Sequence, residues 1–212
     1  MSVSVKICGL SDSASVVAAV MGGADFVGFV FYPGSPRFID ARTASSLIEP
    51  LPADVISVGL FVNPSDEDIA RVLKLVPLGA IQLHGAESPE RVAAVRKLTG
   101  LPVIKAVGIA SAQDIKTARA YESVADYLLL DAKPRSGERA GGNGIAFDWA
   151  LLKNAHFTKP WFLAGGLNLS NAASAVAATG AKMLDISSGV EEALGRKSPE
   201  KIRVFLAAAQ KL

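Results

Sequence analysis

The sequence predicts a parallel α/β protein built as one closed (β/α)8 barrel, and three observations carry that prediction. Short apolar, β-rich runs alternate with longer Ala-rich helical stretches eight times along the 212 residues. That is about one unit per ~26 residues, near the short end for this fold. The runs are too apolar for a sheet with one wet face and fit parallel strands covered on both sides. Polar and glycine-rich segments follow the runs rather than precede them, and in parallel α/β folds ligands bind at that end of the strands. An open doubly wound sheet is the competing reading, but it normally uses about five or six strands.

In chain order, the first run (3–7) leads into a helix over 11–21, and the second (26–31) into one over 41–48. The third run (55–61) precedes a helix at 66–75, the fourth (80–83) one at 90–98, and the fifth (103–107) one at 112–121. The sixth (126–130) is followed by a long loop and a short helix at 148–153. The seventh (161–164) and eighth (182–186) precede helices at 169–178 and 200–211. Helix starts carry their own signals. Ser88-Pro89-Glu90 and Ser198-Pro199-Glu200 place serine at the N-cap and proline at the first helical position. Ser65 with Asp68 and Ser111 with Asp114 have capping-box spacing, while Gly100 and Gly180 stand where helices should stop. No linker, low-complexity tract or charge block divides the chain, so residues 1–212 read as a single barrel domain.

Composition narrows the function classes. Half of the residues are hydrophobic, enough to bury a sizeable core. Lys and Arg number 22 against 20 Asp and Glu, a net charge of +2, which gives no argument for nucleic acid or a membrane surface as partner. The longest apolar tract, 16–32, is broken by Gly22, Gly23, Asp25 and Gly28, and the N-terminus has no signal-peptide pattern. One cysteine suits a reducing cytoplasm. Two histidines and that cysteine form no metal set at a recognisable spacing. No extra apolar face stands out, so a monomer is expected.

The ends of the runs collect the chemistry: Cys8-Gly9, the segment Pro33 to Arg37, His84-Gly85, Asp131, Gly165-Gly166, and Asp185 with Ser187-Ser188-Gly189. Strand alternation puts Val3, Val5 and Ile7 on the helix side, so Lys6 and Cys8 should point into the barrel, as should Gln82 with His84 and Leu129 with Asp131. Glycine turns let backbone N–H groups approach an anion. Gly165 and Gly166 after run seven, with Ser187, Ser188 and Gly189 after run eight, therefore read as a phosphate site, at a place where such sites recur in this fold. Lys105 is either a Schiff-base lysine or a barrel-core lysine paired with a carboxylate. His84 is a substrate contact or a satisfied core histidine, Asp25 and Asp126 are structural, and His156 lies at the surface.

These residues fall in an order that resembles the phosphoribosylanthranilate isomerase family. The matching pieces are Lys6-Ile7-Cys8-Gly9-Leu10, Gly28 to Phe31 running on to Ser35-Pro36-Arg37, and Gln82-Leu83-His84-Gly85. Asp131 with Gly141-Gly142-Asn143-Gly144 and Phe147-Asp148-Trp149, Leu163 to Leu167, and Asp185 to Glu191 complete the series. Ser11 departs conservatively from the threonine of many relatives. The resemblance implies an Amadori rearrangement of N-(5-phosphoribosyl)anthranilate with no cofactor. It makes Asp131 the general acid that opens the ribose ring, Cys8 the base that takes the C2′ proton, and Arg37 the ligand of the anthranilate carboxylate. A thiol with a pKa of ~8.5 is a usable base near neutrality. Lys6, ~7 Å away on the same strand side, should favour its thiolate. An acidic Asp131 needs desolvation or a negative neighbour, for which Asp185 is a candidate. Indole-glycerol-phosphate synthase, a Schiff-base aldolase and a non-catalytic sugar-phosphate binder are the rival functions. The glycines and charges of the loop 133–144 would suit a lid, but the sequence does not show whether it closes.

Overall fold

The computed structural model describes residues 3–132, 149–153 and 155–212. The loop 133–144, whose closing as a lid the sequence left open, the variable stretch 134–139, the glycines at 137, 141, 142 and 144, and the Phe147-Asp148 part of the sixth-loop motif lie outside them. Eight parallel strands close on themselves in sequence order, with β1 hydrogen-bonded to both β2 and β8. They are β1 (Ser4–Cys8), β2 (Phe26–Val30), β3 (Ile56–Phe61), β4 (Ala80–Leu83), β5 (Val103–Ile109), β6 (Tyr127–Ala132), β7 (Trp161–Leu163) and β8 (Met183–Ile186). Between and after them come α1 (Ser13–Met21), α2 (Ala41–Ile48), α3 (Asp66–Leu73), α4 (Pro89–Thr99), α5 (Ala112–Arg119), α6 (Ala172–Thr179) and α7 (Pro199–Ala209). The open-sheet alternative is excluded by the β1–β8 pairing.

Local chemistry sets the helix ends as expected, with small shifts. Ser65 and Asp68 form a reciprocal capping box, and Ser88 and Ser198 cap α4 and α7 with proline in the first turn. Gly100 and Gly180 end α4 and α6 in left-handed conformation, at φ 67° and 69°. α6 starts three residues later than the spacing suggested, because Asn168 and Asn171 spend their side chains on a turn: Asn168 Oδ1 accepts from Ser170 N and Asn171 Oδ1 from Asn168 N. The short helix after the sixth loop is one 3-10 turn, Trp149–Leu152. One feature has no counterpart in the sequence reading. A second 3-10 turn (Ser188–Val190) follows β8 and leads into a small antiparallel hairpin, β9 (Glu191–Ala193) with β10 (Arg196–Lys197).

The outward faces of the strands join the helices in one large apolar core that includes Val5, Ile7, Val27, Leu128 and Leu184. The barrel interior is filled by Phe26, Val58, Ala80, Ile104, Ala106, Leu129, Phe162 and Ala164. Above that plug, toward the carboxyl ends of the strands, Cys8, Val30 and Leu60 form a separate cluster. Asp25 and Asp126 are structural clips, as expected: Asp25 accepts from Val5 N at 2.8 Å, and Asp126 accepts from Val103 N while pairing with Arg96. No helix among the described residues is long and apolar enough to cross a membrane.

Candidate active site

Cys8 ends β1 and faces inward with Lys6, as the alternation requires. In the β1–β8 register Lys6 stands opposite Asp185, and its ammonium bonds the Asp185 carboxylate at 2.8 Å with no exposure of its own. Gly28 on the neighbouring strand makes room for both residues, since a Cβ there would come within 3.1 Å of Cys8 Sγ and of Lys6 Nζ. Burial pushes the Cys8 thiol above its ordinary pKa. The Lys6 charge pulls it down, as the sequence suggested, but burial, helped by Asp185, outweighs that pull. For Lys6, burial works against the charged form and is overcome by Asp185 and Cys8, so this lysine is held protonated above its usual range. Lys6 therefore favours the thiolate, as expected, and offsets part of the burial penalty on Cys8.

Asp131, near the end of β6, has a different neighbour from the one considered. Asp185 is taken by Lys6, and the group facing Asp131 is His84, whose Nε2 lies 3.3 Å from Asp131 Oδ2. The other carboxylate oxygen accepts from Ala132 N at 2.7 Å. Gln82, fully buried on β4, places its amide nitrogen 2.9 Å from His84 Nδ1. The amide nitrogen is a donor only, so Nδ1 accepts in this contact and Nε2 is the ring nitrogen that faces Asp131. Gln82 Oε1 has no hydrogen-bond partner among the described residues. His84 is thus a partner of Asp131 as well as a wall of the pocket.

Arg37, in the loop after β2, is 8% exposed and meets Glu191 in a two-point pair: Nε to Oε1 at 2.6 Å and Nη2 to Oε2 at 3.0 Å. Gly9, at φ 79°, lets the Arg37 stem pass, because a Cβ there would lie 2.7 Å from Arg37 Cδ. Beyond the barrel axis the β7 loop turns through two successive left-handed glycines, Gly165 (φ 86°) and Gly166 (φ 64°). A side chain at Gly165 would strike Ala132 and approach Asp131 Oδ1 to 3.0 Å. Gly189 stands behind this wall: a Cβ there would collide with the Leu167 carbonyl.

One pocket at the carboxyl ends of the strands is lined by Cys8, Arg37, His84, Asp131, Gly165, Gly166, Ser187 and Ser188, with Asp185, Tyr32 and Leu60 between them. The candidate catalytic, substrate-binding and phosphate-binding residues all line it except Gly189. Sequence reasoning quoted Glu191 only as the end of a motif, with no role, and missed Lys197. Lys197 is buried and donates to Glu191 Oε1 at 2.6 Å and to Ser187 O and Oγ at 3.1 and 3.2 Å. The aldolase rival loses its nucleophiles. Lys105 is paired with a carboxylate as expected, yet it lies on the outward face of β5, bonded to Glu87 at 2.7 Å, and Lys6 is committed to Asp185. His156 is exposed. Among the described residues no group of three or more His, Cys, Asp or Glu could hold a metal ion.

Comparison with known proteins agrees with this geometry. The family model for N-(5'phosphoribosyl)anthranilate (PRA) isomerase matches residues 5–208. An N-(5'-phosphoribosyl)anthranilate isomerase of Paracoccus denitrificans is 54% identical over 99% of this chain and 98% of its own. The crystal structure of phosphoribosyl anthranilate isomerase from Thermotoga maritima superposes with a TM-score of 0.87 at 38% identity, covering 99% of this chain and all of that one. A further isomerase structure, in complex with reduced 1-(o-carboxyphenylamino)-1-deoxyribulose 5-phosphate, gives 0.84 at 37% identity over 99% and 100% of the two chains.

Proposed function

The chain belongs to the N-(5'-phosphoribosyl)anthranilate isomerase family, and we propose that Cys8 and Asp131 carry the two proton transfers of its reaction. The reaction is the Amadori rearrangement of N-(5-phosphoribosyl)anthranilate to 1-(2-carboxyphenylamino)-1-deoxyribulose 5-phosphate, a step of tryptophan biosynthesis. Asp131 gives its proton to the ribose ring oxygen, the C1′–oxygen bond breaks, and the anilino nitrogen lone pair forms the iminium. Cys8, as thiolate, then removes the C2′ proton, and those electrons run into the iminium to give a neutral enolamine. Protonation at C1′ and loss of the 2′-hydroxyl proton give the ketone. A general acid and base each contribute roughly 10²–10⁴-fold to such a step. Arg37 binds the anthranilate carboxylate, for which a planar guanidinium is suited. The loops at Gly165-Gly166 and Ser187-Ser188, backed by Gly189, take the phosphate. His84 touches substrate and stands against Asp131, its Nε2 3.3 Å from Asp131 Oδ2.

The observation that carries this reading is that Cys8, Asp131, Arg37 and both glycine–serine loops line one pocket within a single chain. The same completeness supports a monomer and a single catalytic domain, and a lone cysteine suits the reducing cytoplasm. The test is the decay of anthranilate fluorescence when the protein meets freshly made phosphoribosylanthranilate. Cys8→Ala and Asp131→Ala should each lose at least about 100-fold in kcat while keeping the parent's circular dichroism. Activity surviving Cys8→Ala would discard Cys8 as the base.

A further inference from the structure

Glu191 is absent from the roles assigned above, yet both of its carboxylate oxygens accept hydrogen bonds beside the pocket. Its Oε1 accepts from Arg37 Nε and Lys197 Nζ, each at 2.6 Å, and its Oε2 from Arg37 Nη2 at 3.0 Å and Gly195 N at 3.3 Å. Its backbone carbonyl accepts from Lys201 Nζ at 2.6 Å. Lys197 continues the chain of contacts to Ser187, through both the carbonyl and the hydroxyl. The C=O of Ser187 and the N–H of Ser188 share one planar trans peptide and point in opposite directions. Gripping that carbonyl therefore turns the Ser188 N–H away from Lys197 and fixes the peptide that borders the pocket. A direct line thus runs from Arg37 through Glu191 and Lys197 to Ser187, joining two loops whose residues lie about 150 positions apart in sequence. The backbone repeats the tie. Gly195, at φ 78°, lies so close to Pro36 that a Cβ would collide with the Pro36 carbonyl, so the hairpin sits directly on the loop that carries Arg37.

Burial makes this line stiff. The side chains of Arg37, Glu191 and Lys197 are 8%, 6% and 0% exposed. Glu191 is held ionised: burial raises its pKa, but bonding to Arg37 and Lys197 outweighs burial and brings it below the ordinary range. A carboxylate in this position cannot let go of either cation without leaving charge buried.

We infer that Glu191, with Lys197, is a positioning pair that sets the distance between the carboxylate-binding and phosphate-binding ends of the site, and thereby selects ligands anionic at both ends with that span. The inference rests on the assignment of Arg37 and the Ser187–Ser188 loop as the two anion sites. Glu191→Asp keeps the charge but shortens the arm by one methylene, so Arg37 or Lys197 must move to follow it. Each end can still bind alone, because each loop is free to relax around a one-ended ligand. A two-ended ligand has to restore the original span.

The experiment measures binding of three probes to parent, Glu191→Asp and Lys197→Met: inorganic phosphate, an N-alkyl anthranilate, and the reduced product analogue bearing both groups. Both variants should bind either one-ended probe within about twofold of the parent. They should bind the two-ended analogue about tenfold or more weakly, with KM for substrate rising to match and kcat changing less, as expected for lost alignment. Glu191→Gln keeps the arm length but sets an amide NH2 against cationic donors, so it should bind the two-ended analogue at least as weakly as Glu191→Asp, and serves as the variant if Glu191→Asp does not fold. Parent-like binding of the two-ended analogue by folded variants would overturn the inference. So would equal losses for one-ended and two-ended probes, which would make Glu191 a support for one end only. Failure of both one-ended probes to compete with substrate in the parent would instead sink the anion-site assignment underneath it.

Discussion

Two lysines are buried on strands of this barrel, each against a carboxylate, and they do different things. Lys6 is 0% and Lys105 2% exposed, with ammonium–carboxylate distances of 2.8 Å to Asp185 and 2.7 Å to Glu87. Lys105 points outward from β5 and belongs to a closed network. It donates to Glu87 and the carbonyl of Gly85, and lies 5.6 Å from the Tyr121 ring centre, while Glu87 accepts from Asn63 N and Gly85 N. Lys6 points inward from β1 and shares its surroundings with Cys8 and with Asp185, which lines the pocket. The ammonium groups respond oppositely. Burial lowers the Lys105 pKa despite Glu87, whereas for Lys6 burial is overcome by Asp185 and Cys8 together and the pKa rises. The same chemical pair is a fastener on the outward face of β5 and borders the candidate site on the inward face of β1.

The largest effect that tests this contrast comes from deleting each ammonium in turn. Lys6→Met and Lys105→Met each strand a buried carboxylate, and each should lose about 3–5 kcal/mol of stability in denaturant melts. Lys6→Met should also lower kcat/KM about 100-fold or more, on the scale of an impaired general base. Lys105→Met should hold kcat/KM of the folded protein within about threefold. Because Cys8 is the chain's one cysteine, its alkylation rate reports the thiolate directly. It should slow in Lys6→Met and stay unchanged in Lys105→Met. Equal activity losses in the two variants would erase the distinction.

The next effect is a shift in pH dependence. Burial, with help from Asp185, raises the Cys8 thiol, so the thiolate is scarce at neutral pH and grows as pH rises. The kcat/KM of the parent should therefore climb through neutrality and continue climbing past ~8.5, the ordinary thiol value. Asp185→Asn removes a charge that raises the thiol and frees Lys6 to lower it. Both changes have the same sign, so the limb should move to lower pH. A limb that stays in place would mean that the titrating base is another group.

The contrast between the two lysines also shows what a sequence can carry. Lys6 was readable because β1 alternates cleanly: Val3, Val5 and Ile7 against Ser4, Lys6 and Cys8. Lys105 was not, because its neighbours Val103, Ile104, Ala106 and Val107 are apolar on both faces, so nothing marks which way it points. The eight strands and their order followed from periodicity, and the pocket residues from their position after each strand. Glu191 closed the last motif without a role attached to it, and Lys197 left no local signal. Their partners Arg37 and Ser187 lie on separate loops, and only closure of β8 against β1 brings those loops together. Likewise, β4 and β8 each stand two strands from β6, so strand order leaves open whether His84 or Asp185 meets Asp131, and the Lys6–Asp185 pair decides it.

The smallest effect is the sharpest check that the Lys105 pair is only a fastener. If it is, removing both charges together should cost far less than removing one, because no buried charge is left behind. Lys105→Met with Glu87→Gln should lie within about 1–2 kcal/mol of the parent, since glutamine can still accept from the Asn63 or Gly85 N–H. The pair also has a pH signature. Burial would raise the Glu87 pKa, but Lys105 and the backbone donors bring it below the ordinary carboxylate value. Its stabilisation is therefore complete above ~4.3, the unfolded value, and is lost as pH falls through the lower folded value. The parent should lose stability over that acid window, and the double variant should lose less of it. A double variant as unstable as Lys105→Met alone would show that the damage comes from lost packing around the lysine stem rather than from the stranded charge.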